Sequence, residues 1–450
     1  MGQQTCEACN TYNMLKLTRH LYGWSGEARY FDTYERAHLN HMMSQQDPAT
    51  GMVSYFSPLA SGFGRKHSTP ENDFWCCVGS GMETHAKHGD SIYWQGKSTT
   101  GADRVLINLY YASSLDWAEK SFKLDMETAF PYEDTVTIRV SAAPQKNTPE
   151  LALRVPYWCP APQVTRNGQA LNLTAQNGYL ILSDLKAGDT LNVRLPMQIH
   201  SEAMPDDDRL IAFLNGPLVL AADLGPVSAP WTGVDPVIIA DSEKDVLHPA
   251  LEGAAQTFSA AEKSFPAPLT LRPYFDQHHN RTAVYFRRFG VAEWPAAQAA
   301  YQAEARAKAD MDARTIDDIR LGEQQPETDH NFKGADSTSV ITHINMRGRM
   351  VNGYFEFDMR VQPGPLMLYV SYNGADRKHE IHIHIDGQPL TVETLDGEPT
   401  SQLNVKTYAL PETMTRGKDH VRVRFDAPTS QWTTVYECRI LKANTTTTTT

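Results

Sequence analysis

The chain has 450 residues, 41% hydrophobic and 10% aromatic, which makes it too long for one ordinary core and too apolar for global disorder. Its formal charge of −12, from 53 acidic against 41 basic residues, argues against a nucleic-acid partner, which would want a basic face. No apolar run is long enough to span a bilayer, and the opening MGQQTCEACNTYN lacks the charged and apolar regions of a signal peptide.

Residues 1–97 read as helical. In TYNMLKLTRHLY, Met14, Leu17 and Leu21 fall at helical spacing, with Asn10 or Thr11 available as a cap. Tyr30, Tyr34, Ala37 and His41 repeat in the same way, DPATGM is a turn, and VSYF is extended. After Cys77, GSGMETHAKHGDSIYW predicts another helix, entered through Gly79 and Gly81. From about residue 104 the period changes to that of strands. VLINLYYAS, TVTIRVSAA, LALRVPYW, YLILSDL and TLNVRLPM are short, β-branched or aromatic, and separated by turn residues, which predicts a β-sandwich over 98–200.

Residues 201–318 are mixed and proline-punctuated, and they close on an Ala-rich, charge-alternating helix that reads as a connector. Strands return over 319–443 in GYFEFDMRV, LMLYVSY, HEIHIHID, HVRVRFDA and TTVYECRIL, predicting a second sandwich. The threonine run at 444–450 is low-complexity and reads as a disordered tail.

The cysteines carry the chemical signal. Four of the six, Cys6, Cys9, Cys76 and Cys77, cluster in the first 77 residues, whereas Cys159 and Cys438 are isolated and read as buried. Adjacent cysteines such as Cys76 and Cys77 rarely pair with each other, because a disulfide strains across one peptide bond. Thiolate sulfur and carboxylate oxygen both bind zinc, and four such ligands complete a tetrahedron. Glu7, Cys9, Cys76 and Cys77 form one such set. Cys6, Cys9, Cys76 and Cys77 form a rival four-cysteine set, and metal-free burial of the thiols is a third reading. Glu7 and Cys9 are two apart and cannot share one face of a regular helix, so they require a loop or a helix entry. By the same reasoning Cys76 and Cys77 call for a non-helical backbone.

The segments GQQTCEACNTYNMLKLTRHLY, YFDTYERAHLNHMMSQQDPATGMVSYFSPL and STPENDFWCCVGSGMETHAKHGDSIYW resemble the C-terminal part of the catalytic barrel of the zinc–cysteine β-L-arabinofuranosidases, glycoside hydrolase families 127 and 146. The resemblance runs on through LALRVPYWCPAP, PYFDQHHNRTAVYF and GEQQPETDHNFKGADS, and so covers nearly the whole chain. It implies a multidomain α + β architecture, the C-terminal portion of an (α/α)6 barrel over 1–97 followed by β-sandwich, jelly-roll-like domains. It also implies a zinc ion on Glu7, Cys9, Cys76 and Cys77, with Cys76 the nucleophile of a retaining hydrolysis of arabinofuranose-containing glycans. A retaining mechanism needs a general acid as well. In the family that glutamate lies before the Glu-x-Cys motif, and the six residues before Glu7 hold no acidic one. The chain therefore reads as N-terminally truncated and inactive, or nearly so, by itself. Family habit implies a periplasmic or extracellular parent protein.

Several residues have two readings each. Tyr55 lines the sugar pocket or fills a core; His41 faces substrate or bonds within the core; His85 and His88 touch sugar or simply lie on the helix after the cysteine pair. Glu83 reads as a surface glutamate rather than a substitute acid. Asp329, His330 and Asn331 read as structural, and His382 and His384 as part of an exposed polar sheet face. The alternative to an enzyme is a non-catalytic, carbohydrate-binding β-sandwich protein with a structural zinc clasp.

Overall fold

The computed structural model describes residues 6–229, 234–244, 246–250, 255–342, 346–397, 403–427 and 432–443. The threonine run at 444–450 lies outside the described residues. The chain divides into two compact units, 1–303 and 304–450. Among the described residues no helix is long and apolar enough to cross a membrane.

The first unit opens with α1 (Ala8–Ser25) and α2 (Arg29–Ala37), which widens through a π-turn (His38–Met42) into the short α3 (Met43–Gln45); α4 (Cys76–Lys87) follows. Helix α1 starts earlier than Asn10 or Thr11, with Glu7 as its N-cap residue, and ends on the left-handed Gly26. Its buried face is Ala8, Tyr12, Leu15, Thr18 and Tyr22. The expected stripe is the wrong one, since Met14 and Leu17 are exposed. The aromatic face wins because it finds partners for both rings and hydroxyls. Tyr22 packs edge-on to Phe31 and Trp94 at centroid distances of 4.7 and 4.8 Å, and its hydroxyl meets that of Tyr179 at 2.8 Å. Each such ring pair adds about 0.5–1.5 kcal/mol beyond area burial.

Two sheets follow. One runs β1 (Tyr93–Lys97), β2 (Asp103–Ile107), β6 (Glu150–Arg154), β9 (Tyr179–Leu182). The other runs β3 (Ser113–Trp117), β4 (Phe122–Thr128), β5 (Thr135–Ala142), β10 (Thr190–Arg194), β7 (Gln163–Arg166), β8 (Gln169–Leu171). Alternate residues turn inward, as in Val136, Ile138 and Val140 of β5 against Phe122, Leu124 and Met126 of β4. These side chains share one continuous core with Tyr12, Leu15, Tyr22, Phe31 and Tyr34 of the helices.

An ion pair fixes that join. Arg154, the last residue of β6, has a fully buried side chain that meets Asp32 Oδ1 at 2.6 Å and Glu35 Oε1 at 2.7 Å, both on α2. It also donates to the Asn108 carbonyl at 2.7 Å, and Trp158 Nε1 donates to Glu35 Oε2 at 2.8 Å. Residues 199–289 then form a ten-stranded sheet, and Trp294–Arg314 is the helix expected near 296–318.

The second unit is a nine-stranded sheet wrapped around one core, whose 14-residue strand Arg347–Arg360 pairs with both His420–Asp426 and Thr433–Lys442. Phe355, Phe357, Phe425, Ile381 and Ile383 point inward. His382 and His384 sit on the outer face among Glu356, Asp358, Arg422 and Asp426. Asn331 Nδ2 donates to Asp358 Oδ2 at 3.0 Å, His330 pairs with Asp317 at 3.5 Å, and Gln325 donates to Asp329, so that segment is structural. Cys159 and Cys438 are buried.

Breaking a buried ion pair from one side leaves a charge unpaired at a cost of about 3–5 kcal/mol. Arg154→Met is therefore expected to lower the urea midpoint of the first unit sharply, and adding Asp32→Asn and Glu35→Gln to restore part of the loss. A midpoint unmoved by Arg154→Met would show that the pair is not what holds α2 to β6. Burial, with the adjacent His88, also lowers the His38 pKa to about 3, far below its unfolded value near 6.5. The unfolded chain then binds more protons between those limits, so stability must fall as pH drops through that window. In His38→Gln the fall is expected to be shallower by one proton in the slope of unfolding free energy against pH.

Candidate metal centre

Glu7 and Cys76 are 69 residues apart in sequence, and the fold brings Glu7, Cys9, Cys76 and Cys77 to one point. One ligand atom from each lies within 4.8 Å of those of the other three, so the group can hold a metal ion. Glu7 is extended, at φ −63° and ψ 127°, and forms an antiparallel bridge with Phe56. Ala8 N donates to the Tyr55 carbonyl at 3.0 Å, so the start of α1 and the segment carrying Tyr55 are built as one piece. Cys9 follows in the first turn of α1, the helix entry that the Glu-x-Cys spacing requires.

Cys76 and Cys77 are not on a loop. They are the first two residues of α4, preceded by the extended Trp75. The expectation of a non-helical backbone fails because helical side chains lean toward the N-terminus, so that those of the first two residues reach past the helix end to a common point. Cys76 Sγ stands 4.0 Å from Cys77 Sγ, 4.0 Å from Glu7 Oε1 and 3.7 Å from the Tyr55 hydroxyl. Cys9 Sγ meets Ser80 Oγ at 3.2 Å, which ties α1 to α4, and Gln45 Nε2 donates to the Cys77 carbonyl at 2.8 Å.

Both helices present their N-termini to the group, where partial positive charge favours thiolate and carboxylate. Burial works the other way, raising the Cys9 and Cys77 thiols and the Tyr55 hydroxyl above their ordinary values. A bound cation would reverse the balance for the thiols. Cys76 is the exposed member of the set, while Cys77 is fully buried. Cys6 is outside the group, so the four-cysteine alternative is not the one the fold assembles.

Against family models, residues 1–90 match the β-L-arabinofuranosidase GH127 catalytic domain and residues 104–197 the GH127 middle domain. These two stretches are thus similar to the GH127 catalytic and middle domains. Residues 310–441 match a family of unknown function, DUF6805. Among solved structures, a GH127 β-L-arabinofuranosidase from Geobacillus stearothermophilus T6 is 20% identical, covering 63% of this chain and 50% of its own, with a TM-score of 0.50. A second GH127 β-arabinofuranosidase is 21% identical over 63% of this chain and 49% of its own, with a TM-score of 0.52. The likeness is one of fold, a barrel followed by β-sandwiches, and the chain spans about half the length of these structures. Comparison with curated proteins gives no match.

Within the GH127 portion the remaining candidates sort by contact. His41 is buried, with Nδ1 at 2.8 Å from Thr11 Oγ1, and it serves the core. His88 Nδ1 meets His38 Nε2 at 2.9 Å, and His38 Nδ1 meets the Tyr111 hydroxyl at 3.0 Å; His85 and His88 also line a cavity of about 290 Å³ beside Gln45 and Gly81. Glu83 is bonded to the Tyr12 hydroxyl, which with nearby Lys16 holds its carboxyl below the usual range. Sequence reasoning passed over Ser80, although its place one turn after Cys76 was a readable signal.

The two glycines of α4 give opposite expectations. An alanine Cβ at Gly81 would lie 2.9 Å from Val53 Cγ1 and 3.3 Å from Gln45 Nε2, whereas at Gly79 it meets nothing within 4 Å. In a helix interior Gly→Ala ordinarily stabilises by about 0.8–1.0 kcal/mol. Gly79→Ala is expected to raise the Tm and Gly81→Ala to lower it, because the latter pushes the segment carrying Tyr55 away from α4. Equal shifts in calorimetry would contradict the close packing.

Proposed function

We propose that this chain is part of a retaining glycoside hydrolase that releases β-L-arabinofuranose, or a related sugar, from plant glycans. Glu7, Cys9, Cys76 and Cys77 would hold zinc, and Cys76 would be the nucleophile. The observation that carries this reading is the convergence of one carboxylate and three thiols, from two helix N-termini, around a single exposed thiol. The donor set fits zinc by spacing as well as by type. Bond lengths of about 2.3 Å to sulfur and 2.0–2.2 Å to oxygen put tetrahedral ligands roughly 3.6–3.8 Å apart. The two separations from Cys76 Sγ, to Cys77 Sγ and Glu7 Oε1, are both 4.0 Å.

When bound, the ion supplies the positive charge that keeps the cysteines as thiolates and tempers Cys76 as a leaving group. Cys76 Sγ attacks the anomeric carbon, the bond to the glycosidic oxygen breaks, and that oxygen leaves with a proton from a general acid. Water then attacks the same carbon, the carbon–sulfur bond breaks, and the water proton passes to the conjugate base of that acid. Two displacements restore the original configuration. The Tyr55 hydroxyl, held protonated by burial, stands 3.7 Å from Cys76 Sγ, and once that sulfur is a thiolate it can donate to it or to a sugar oxygen and orient the ring.

Glu83, kept ionised by Tyr12 and Lys16, is a poor proton donor. The general acid is therefore a carboxyl other than Glu83. The exposure of Met14, Leu17, Trp24, Phe74 and Met82 supports further chain against the helices in the parent enzyme.

A substrate with an activated leaving group tests the nucleophile without the acid. After exposure to a dinitrophenyl β-L-arabinofuranoside, the zinc-loaded chain is expected to carry one pentosyl group on Cys76 by intact mass and peptide mapping, with none in Cys76→Ser. Turnover of an unactivated alkyl arabinofuranoside is expected to be absent. Bound zinc without any adduct would instead favour the structural clasp of a carbohydrate-binding protein.

A further inference from the structure

A second group of metal-binding side chains lies in the first unit, built from Asp47, His67 and His279. One carboxylate oxygen and one ring nitrogen from each histidine lie within 4.8 Å of one another. His279 Nε2 stands 3.2 Å from Asp47 Oδ1. Two ligands on a tetrahedral zinc with bonds of about 2.0–2.1 Å are roughly 3.3 Å apart, so this pair is already at ligand spacing. His67 Nε2 is buried and has no hydrogen-bond partner, an arrangement that costs free energy in the absence of a ligand.

We propose that Asp47, His67 and His279 form a second site, thiolate-free, for a divalent transition-metal ion such as zinc. Two imidazoles and a carboxylate suit such ions, with the remaining positions open to water. Asp47 is buried and already oriented: its carboxylate accepts from Ala49 N at 3.0 Å and from Thr50 Oγ1 at 2.7 Å, the kind of outer bonding that aims metal ligands. The His279 side chain is 62% exposed and gives the ion a way in. Arg65, two residues before His67, donates to the carbonyls of Tyr274 and Gln277, with its guanidinium 4.2 Å from the Tyr274 ring centroid.

The placement gives the site a purpose. The strand-like segment that carries Tyr55 is held on one side by Ser54 N to the Gln45 carbonyl and on the other by Ser68 N to the Val53 carbonyl, each 2.8 Å. Asp47 and His67 lie directly beyond those two edges. An ion shared by them and by His279 clamps the flanks of the segment to residues more than 200 positions away in sequence, and so fixes Tyr55 against Cys76.

Metal titration of the full chain with cobalt(II), read by native mass spectrometry and absorption, tests this separately from the thiolate centre. Two equivalents are expected, one with a thiolate-to-metal charge-transfer band and one with ligand-field bands alone. His279→Ala, at an exposed position, is expected to weaken the second by at least about tenfold, the scale seen for loss of even an outer partner, and to leave the sulfur band intact. Asp47→Asn should act in the same direction. A single, sulfur-only equivalent would overturn the proposal, as would a second equivalent indifferent to both substitutions. One equivalent without a sulfur band, lost in His279→Ala, would uphold it while removing the thiolate centre.

Discussion

The first unit depends on one buried cation. Arg154 has no solvent contact, and its charge is balanced only by Asp32 and Glu35 across the boundary between helix and sheet. Withdrawing three charged groups from water is expensive, so the arrangement persists only where geometry is closely matched. That requirement makes the pair a strong determinant of orientation. Apolar contacts between α2 and the sheets could be made at many rotations of the helix, but only one presents both carboxylates to the guanidinium. Tyr110 and Trp158 add hydrogen bonds to the Arg154 carbonyl and to Glu35 and leave the pair little freedom.

From that orientation the rest of the site follows. Once α2 is set, α1 packs beside it through Tyr22 and Phe31, and the π-turn carries the chain round to α3, whose last residue, Gln45, reaches the Cys77 carbonyl. The N-termini of α1 and α4 then face each other across Glu7, Cys9, Cys76 and Cys77. Two opposed electrostatic effects meet there, with helix ends favouring negative charge and burial disfavouring it. The four ligand atoms together can hold a positively charged guest.

Much of this was legible from the chain itself. The cysteine spacing left three readings open and the family resemblance picked out Glu7, Cys9, Cys76 and Cys77, the set the fold brings together, while the alternation in TVTIRVSAA and HEIHIHID marked strands that are strands. What failed was local geometry decided at a distance. Met14 and Leu17 look like the core face of α1, yet the buried face is the one whose tyrosines find hydroxyl partners in residues far along the chain. Cys76 and Cys77 look incompatible with a helix until they are placed in its first turn. Strands such as Gln163–Arg166 are too short and polar to show a period. Arg154 and the Asp47, His67 and His279 group carry no local pattern at all, because every partner is supplied by the fold.

The segment 53–57 is hung largely from main-chain hydrogen bonds, Ala8 N to Tyr55 O, Ser54 N to Gln45 O, Ser57 N to Cys6 O and Ser68 N to Val53 O, with Ser68 Oγ and Ser54 Oγ adding one bond each. A frame built from peptide groups does not register which side chains it displays. The wall beside Cys76 can therefore change its shape by single substitutions without loosening the ligands opposite.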